Sequence, residues 1–279
     1  MSLREAIRWN LLRRAWRETL ACMRRPRALG PFAAYGLLQL LMLIGFVNLH
    51  EFPFSRVFLP LQKMLFGERA LHYPNNFVVL PSVMDLCNLA LSGLIGIVVI
   101  GAATRIFYFM MGGDSPEGTL RPVLARYGHL FVIWLIEIAL VLAVMYGMAR
   151  LQPLYPNWTG LLTALRVGIV MLIMSVFAYS VAVVVLEGTT AIRAIGISVR
   201  IFIRWWGLTF LLVTLPSLLR MPLSLLLNDA PRIVENMAPE VIPVLLGGEI
   251  LFSIFVNFLI IGSITHVYRT WKLSVGASA

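Results

Sequence analysis

Leu161 to Leu186 is the stretch that most limits what this chain can fold into. It is apolar apart from Thr163, Arg166, Ser175 and Ser180. A bilayer core is roughly 30 Å thick, and about 20 apolar residues cross it as a helix. Only a helix satisfies its own backbone hydrogen bonds in hydrocarbon, so a run of this length and composition reads as a span. Comparable runs recur along the chain, and spans are expected at about 31–49, 83–104, 129–149, 161–186, 206–227 and 242–264. The 279 residues are 59% hydrophobic and 13% charged, too little charge for a soluble surface. The fold class expected is all-α integral membrane, six transmembrane helices forming one polytopic domain over residues 1–279.

The end of that run is informative. Glu187 is expensive in hydrocarbon and marks a boundary, and Gly188 permits a sharp turn. The segment that follows puts Thr189, Arg193, Gly196, Arg200 and Arg204 on one stripe of a helix. Ile192, Ile195, Val199, Phe202 and Ile203 occupy the rest of it. A wide apolar face with a narrow basic edge suits a helix lying at the membrane surface. Trp205 and Trp206 are interfacial anchors by residue type. A core-packed connector helix is the plainer alternative.

Residues 1–27 form a second basic amphipathic helix. Ser2 with Glu5 makes a capping-box pattern. Leu3, Ile7, Leu11, Leu12, Trp16, Leu20 and Met23 share a face, and Arg13, Arg14 and Arg17 lie among its many arginines. The charged part is too long for a signal peptide, and the first apolar run ends without a small-residue cleavage pattern, so the segment is expected to be retained. Between the first two spans, Val57 to Leu71 is apolar enough for a short surface or re-entrant helix. Ser92-x-x-x-Gly96 inside the second span is a small-residue packing motif. Gly112 to Gly118 is a turn; it lacks the lysine of a phosphate-binding loop. Thr119 to Tyr127 repeats the surface-helix pattern, so such helices are expected before the first, third and fifth spans. Pro216, Arg220 and Pro222 should kink the fifth span.

The net charge of +10 could indicate nucleic acid. That class is excluded because the cations flank spans and do not form a soluble basic domain. Most of the 23 Lys and Arg residues fall on the side of the N-terminal helix, which places both termini in the cytoplasm by the positive-inside bias. The partners expected are anionic lipid headgroups, with partner membrane proteins or a homo-oligomer also open. Cys22 and Cys87 fall on opposite faces in this topology, which argues against an internal disulfide.

Val184-Val185-Leu186-Glu187-Gly188, followed by Ala191-Ile192-Arg193 and a basic-aromatic helix, resembles the signature of the YciC-like group of six-span prokaryotic membrane proteins. That group is related to the membrane domain attached to some glycerophosphodiester phosphodiesterases. Ser198 matches a serine that members often carry in this helix. The resemblance implies a six-helix fold in a bacterial inner membrane and no particular activity. The soluble phosphodiesterase domain has no counterpart in this chain.

No catalytic constellation stands out, and no enzyme activity, metal or cofactor is expected. His50, His72, His129 and His266 are scattered, without metal-ligand spacing. The informative residues are the ionisable groups within spans, Asp85, Glu137, Arg166, Arg220 and Glu249. Such groups are costly there and are generally paired or face water. Asp85, Arg166, Arg220 and Glu249 are expected in the outer half, with Arg220 to Glu249 the first pair to look for. Glu137 is expected deeper, at the depth of Asn257 and Ser175. These groups either fix helix packing or line an outward-facing polar cavity. Two functions follow. One is a non-enzymatic membrane organiser, a subunit or scaffold engaging lipid and partner proteins through its basic helices. The other is a transporter or lipid-handling protein that uses the cavity.

Overall fold

A computed structural model describes residues 3–113 and 118–276. Ser2 and residues 114–117 of the expected turn lie outside the described residues, as does the side chain of Glu5. In chain order the helices are α1 (Leu3–Cys22), α2 (Pro26–Val47), α3 (Phe58–Phe66), α4 (Asn75–Leu91), α5 (Ile97–Met110), α6 (Leu120–Ala125) and α7 (Tyr127–Leu151). They continue with α8 (Thr159–Phe177), α9 (Ser180–Glu187), α10 (Ala191–Leu218), α11 (Met221–Asn228), α12 (Ala230–Asn236) and α13 (Val241–Gly276). No strand occurs among the described residues. Six helical stretches are long and apolar enough to cross a membrane, as in a multi-pass membrane protein.

The expected spans are found with altered bounds. The second runs from Asn75 to Met110, well before and beyond 83–104. It is continuous because Ser92–Gly96 forms a π-helical turn joining α4 to α5. Small residues tolerate that widened turn, so the motif read as a packing stripe reshapes its own helix. The fifth ends at Leu218, where Pro216 cannot donate to the ladder and Pro222 opens α11. The sixth runs from Val241 to Ser274, ten residues beyond the expected 264, within α13. The N-terminal helix ends at Cys22, before the expected 27, because Pro26 starts α2.

The chain divides into two compact units. Unit 1 holds Met1–Pro31, Gly96–Pro216 and Phe258–Ala279, and unit 2 holds Phe32–Ile95 and Ser217–Asn257.

Unit 1 buries Tyr179, Ile201, Leu212, Leu130, Ile133 and Tyr268 in one core. α1 packs into it with part of the expected face, Leu12 buried and Leu11 and Trp16 against the core, but the C-terminal part of that face is turned out. Leu12, Ala15, Thr19 and Cys22 are buried, whereas Leu20 and Met23 are exposed. The reason is close packing: Gly262 of α13 leaves room only for a small partner, and Thr19 fills it. The Thr19 hydroxyl bonds to the Ala15 carbonyl at 2.8 Å and lies 3.4 Å from Ser263 Oγ. Glu18 reaches His266 Nδ1 at 2.9 Å on the same pair of helices.

The fourth span breaks at Ala178–Tyr179, between α8 and α9. Ser198 of α10 repairs the break. Its hydroxyl donates to the Val176 carbonyl at 2.6 Å and accepts the Tyr179 N–H at 3.2 Å. The Tyr179 hydroxyl then lies 2.7 Å from Thr209 Oγ1. Buried backbone groups need such partners, which explains a fully buried serine in an apolar core.

Unit 2 packs Leu43, Phe46, Phe77, Leu80, Met84, Leu246 and Ile250 together. α3 lies within the stretch expected to hold a short helix, its Phe58 ring 4.7 Å edge-on from Phe46. The loop is tied down by Gln62, which donates to the Ala70 carbonyl at 2.7 Å.

Candidate polar cavity within the spans

Three helices of unit 2 each carry polar side chains at helical spacing. α2 has Tyr35 and Gln39, α4 has Asp85 and Asn88 with Ser92 just after it, and α13 has Glu249, Ser253 and Asn257. Residues three or four apart share one helix face, so each stripe points one way. The stripes converge on a cavity of about 230 Å³, completed by Arg220. A second hollow of about 400 Å³ shares Asp85, Leu246 and Glu249 with it and is lined further by Ser82, Ser224 and Asn228.

Arg220 lines the cavity from the two-residue turn that separates α10 from α11. Its guanidinium donates to Glu249 Oε1 at 3.0 Å, the pairing expected first. Ser224, one turn into α11, donates to the same oxygen at 3.0 Å. Gln39 donates to Asn88 Oδ1 at 2.9 Å, joining the α2 and α4 stripes. Ser253 turns back on its own helix, donating to the Ile250 carbonyl at 2.7 Å.

Polar capacity is left over. Gln39 Oε1 and Arg220 Nε are buried and have no hydrogen-bond partner among the described residues. Asp85 lines both hollows without a hydrogen bond of its own among those residues. The cavity therefore holds two carboxylates, Asp85 and Glu249, against one guanidinium. Its chemistry favours a small group carrying positive charge beside hydrogen-bonding atoms.

The other sequence candidates are distributed elsewhere. Asn257 lines the cavity at its end on α13. Arg166 and Glu137 belong to unit 1 and do not line it. The expected four-charge set thus reduces to three, because Arg166 lies half-buried on α8 with no ion-pair partner among the described residues. Glu137 on α7 likewise has no hydrogen-bond or ion-pair partner among them. Ser175, expected at its depth, bonds to the Met171 carbonyl of its own helix.

The basic segment before the fifth span is the first half of α10 and runs into the span without a gap. Trp205 sits at the kink, with φ −123° and ψ 27°. Ala191, Ala194, Ser198 and Ile201 face the core, while Arg193, Arg200, Arg204 and Trp206 are exposed. Ile192 and Ile203 are 81% and 67% exposed beside those arginines. Arg13, Arg14 and Arg17 of α1 are exposed too, with Arg14 held to Glu18 at 2.9 Å.

Glu187 and Gly188 end α9 as expected. Gly188 adopts φ +69°, its N–H bonds to the Val184 carbonyl, and a Cβ there would come within 2.9 Å of the Arg126 guanidinium. Glu187 accepts a 2.5 Å hydrogen bond from the Tyr268 hydroxyl, which ties the exit of the fourth span to α13.

Tyr35, Gln39, Asn88, Ser224 and Ser253 join the cavity region beyond the residues expected from the sequence, and Ser92, expected as a packing residue, lines it too. The signal available was the three- and four-residue spacing of neutral polar groups inside apolar runs. Among the described residues no three His, Cys, Asp or Glu side chains are grouped to hold a metal ion. No family model matches the chain, and no curated protein or solved structure shows significant similarity to it.

Proposed function

We propose that this is a non-enzymatic membrane protein of the transporter or lipid-handling kind, which accommodates an ammonium-bearing group in the unit 2 cavity. A lipid headgroup amine or a small cationic or zwitterionic solute has the required chemistry. The observation that supports it is the charge imbalance, Asp85 unpaired beside the Arg220–Glu249 pair in a space bounded by spans. Helix packing alone is served by matched pairs, because an extra carboxylate within a span, even one as exposed as Asp85, only adds cost. The break between α10 and α11 also fits, since interrupted helices often border substrate sites in membrane proteins. A bacterial inner membrane with both termini cytoplasmic accords with the charge distribution and with the YciC-like resemblance. The test is the lipid and small-molecule content of detergent-purified protein, read by mass spectrometry. Ammonium-bearing molecules enriched over the source membrane in wild type, and lost in a folded Asp85→Asn variant, support the proposal. Equal content in the two proteins contradicts it.

A second reading, the membrane organiser, is favoured by the exposed stripe of Arg193, Arg200 and Arg204 with Ile192, Ile203 and Trp206. Arginine heads beside exposed apolar groups suit an anionic headgroup layer or a partner helix. On this reading neutralising Arg13, Arg14 and Arg17 removes an associated protein seen in native mass spectra.

A further inference from the structure

Unit 1 contains a separate hollow of about 630 Å³, lined by Arg24, Arg25, Arg27, Arg105, Phe109 and Gly118 among others. Its volume falls in the usual range for small-ligand sites. Arg24, Arg25 and Arg27 stand exposed at the turn from α1 to α2, around its rim. Arg105 forms its floor and is only 9% exposed. No acidic side chain lines the hollow among the described residues.

The state of Arg105 is the telling feature. One terminal nitrogen donates to the Val185 carbonyl at 3.1 Å, and the other reaches the Gly118 carbonyl at 3.4 Å, long for such a bond. Nε is buried and has no partner among the described residues. A guanidinium offers five N–H donors and is never neutral in a protein, so neutral carbonyls satisfy neither its charge nor its donors. A buried charge is costly without a counter-ion, and Arg105 has none among the described residues. The two carbonyl contacts hold the group from α9 and from Gly118, and the hollow it lines is lined by three more arginines, Arg24, Arg25 and Arg27. Such an array matches the several acceptor oxygens of a phosphate, which arginine binds by paired hydrogen bonds. Pro26, Ile106, Phe109 and Met110 give the same hollow an apolar wall. A ligand with a phosphate at one end and hydrocarbon at the other uses both surfaces.

From this geometry we infer that the unit 1 hollow is a binding site for a phosphate-bearing anion, with Arg105 as its buried anchor. The site is independent of the unit 2 cavity and uses none of the exposed arginines of α10. The shared chemistry is the phosphate, which a lipid headgroup or free inorganic phosphate could supply.

The experiment measures equilibrium binding to the full chain in detergent with three probes: dihexanoyl-phosphatidylglycerol, dihexanoylglycerol, which lacks the phosphate, and inorganic phosphate. The variants are Arg105→Lys, which keeps the charge and loses the fork, and the double variant Arg25→Gln/Arg27→Gln on exposed positions that cannot unfold the core. Arg56→Gln, in unit 2, is the control. Binding of the phosphatidylglycerol at least about tenfold tighter than dihexanoylglycerol, weakened about tenfold or more by each arginine variant and unchanged in the control, supports a lipid-borne phosphate. Inorganic phosphate binding with equal affinity and the same variant pattern supports the site with free phosphate as its ligand. Binding of both anionic probes that is absent, or unaffected by Arg105→Lys and by the double variant, overturns the inference.

Discussion

Arg220 and Glu249 meet at 3.0 Å, one from the break after the fifth span and the other from the interior of the last helix. The pair holds α11 against α13 and sets a charge pattern in which Asp85 is the surplus group. Arg220→Gln leaves two carboxylates without a cation. The side chain of Arg220 is 38% exposed, so the expected loss is discounted to about 1–3 kcal/mol from what a fully buried pair would give. Thermal unfolding in detergent should show a lower midpoint, and adding Glu249→Gln should recover part of it. Additive losses in the double variant would rule out coupling between the two residues.

Ser198 carries the break in the fourth span. Ser198→Ala leaves the Val176 carbonyl and the Tyr179 N–H unpaired in a buried site. The expected cost is about 1–3 kcal/mol, the usual penalty for orphaned buried polar groups. The check is again thermal unfolding, with Ser175→Ala as comparison because its hydroxyl only bonds back to its own helix.

Gly188 needs its left-handed backbone. Gly188→Ala meets strain at φ +69° and a clash with Arg126, so a loss of about 1 kcal/mol or more is expected. Gly128→Ala, where a Cβ meets nothing within 4 Å, should be neutral or slightly stabilising in the same assay.

The docking of α1 should weaken in acid. Partial burial raises the Glu18 carboxyl, but the Arg14 hydrogen bond and the charges of His266, Arg14 and Arg269 outweigh it and hold the group below its ordinary value of 4.5. A group whose folded value is depressed stabilises above its unfolded value, and that stability is lost as pH falls through the folded value. Protease nicking near the α1–α2 turn should therefore rise below about pH 4.5 in wild type and be pH-insensitive over that range in Glu18→Gln. Identical profiles in the two proteins would remove Glu18 from the account.

Much of the architecture is legible because the bilayer allows so few solutions. An apolar run such as Leu161 to Leu186 has to be helical, and a Glu-Gly exit has to turn. The Arg220–Glu249 pair could be anticipated because both charges lie in spans and need partners. What the residues alone did not disclose are features that depend on three-dimensional neighbours. The exposed Leu20 and Met23 of α1 are apolar, yet the small Ala15, Thr19 and Cys22 face inward because Gly262 allows close approach. Helix-face reading by hydrophobicity favours large residues and misses contacts made by small ones. The π-helical turn at Ser92–Gly96 and the break at Ala178–Tyr179 likewise occur inside apolar stretches that look uniform, without a proline to mark them.

On the proposed reading Asp85 receives the ammonium group in the unit 2 cavity. The most direct measurement is equilibrium binding of ethanolamine and of its N-acetylated form, which keeps the hydroxyl, loses the positive charge and carries no phosphate for the unit 1 hollow. Wild type should bind the amine about tenfold more tightly, and Asp85→Asn should abolish that difference while its thermal midpoint stays close to wild type. Equal binding of the two compounds by wild type, or an amine preference that survives Asp85→Asn, would exclude Asp85 as the partner of the ammonium group.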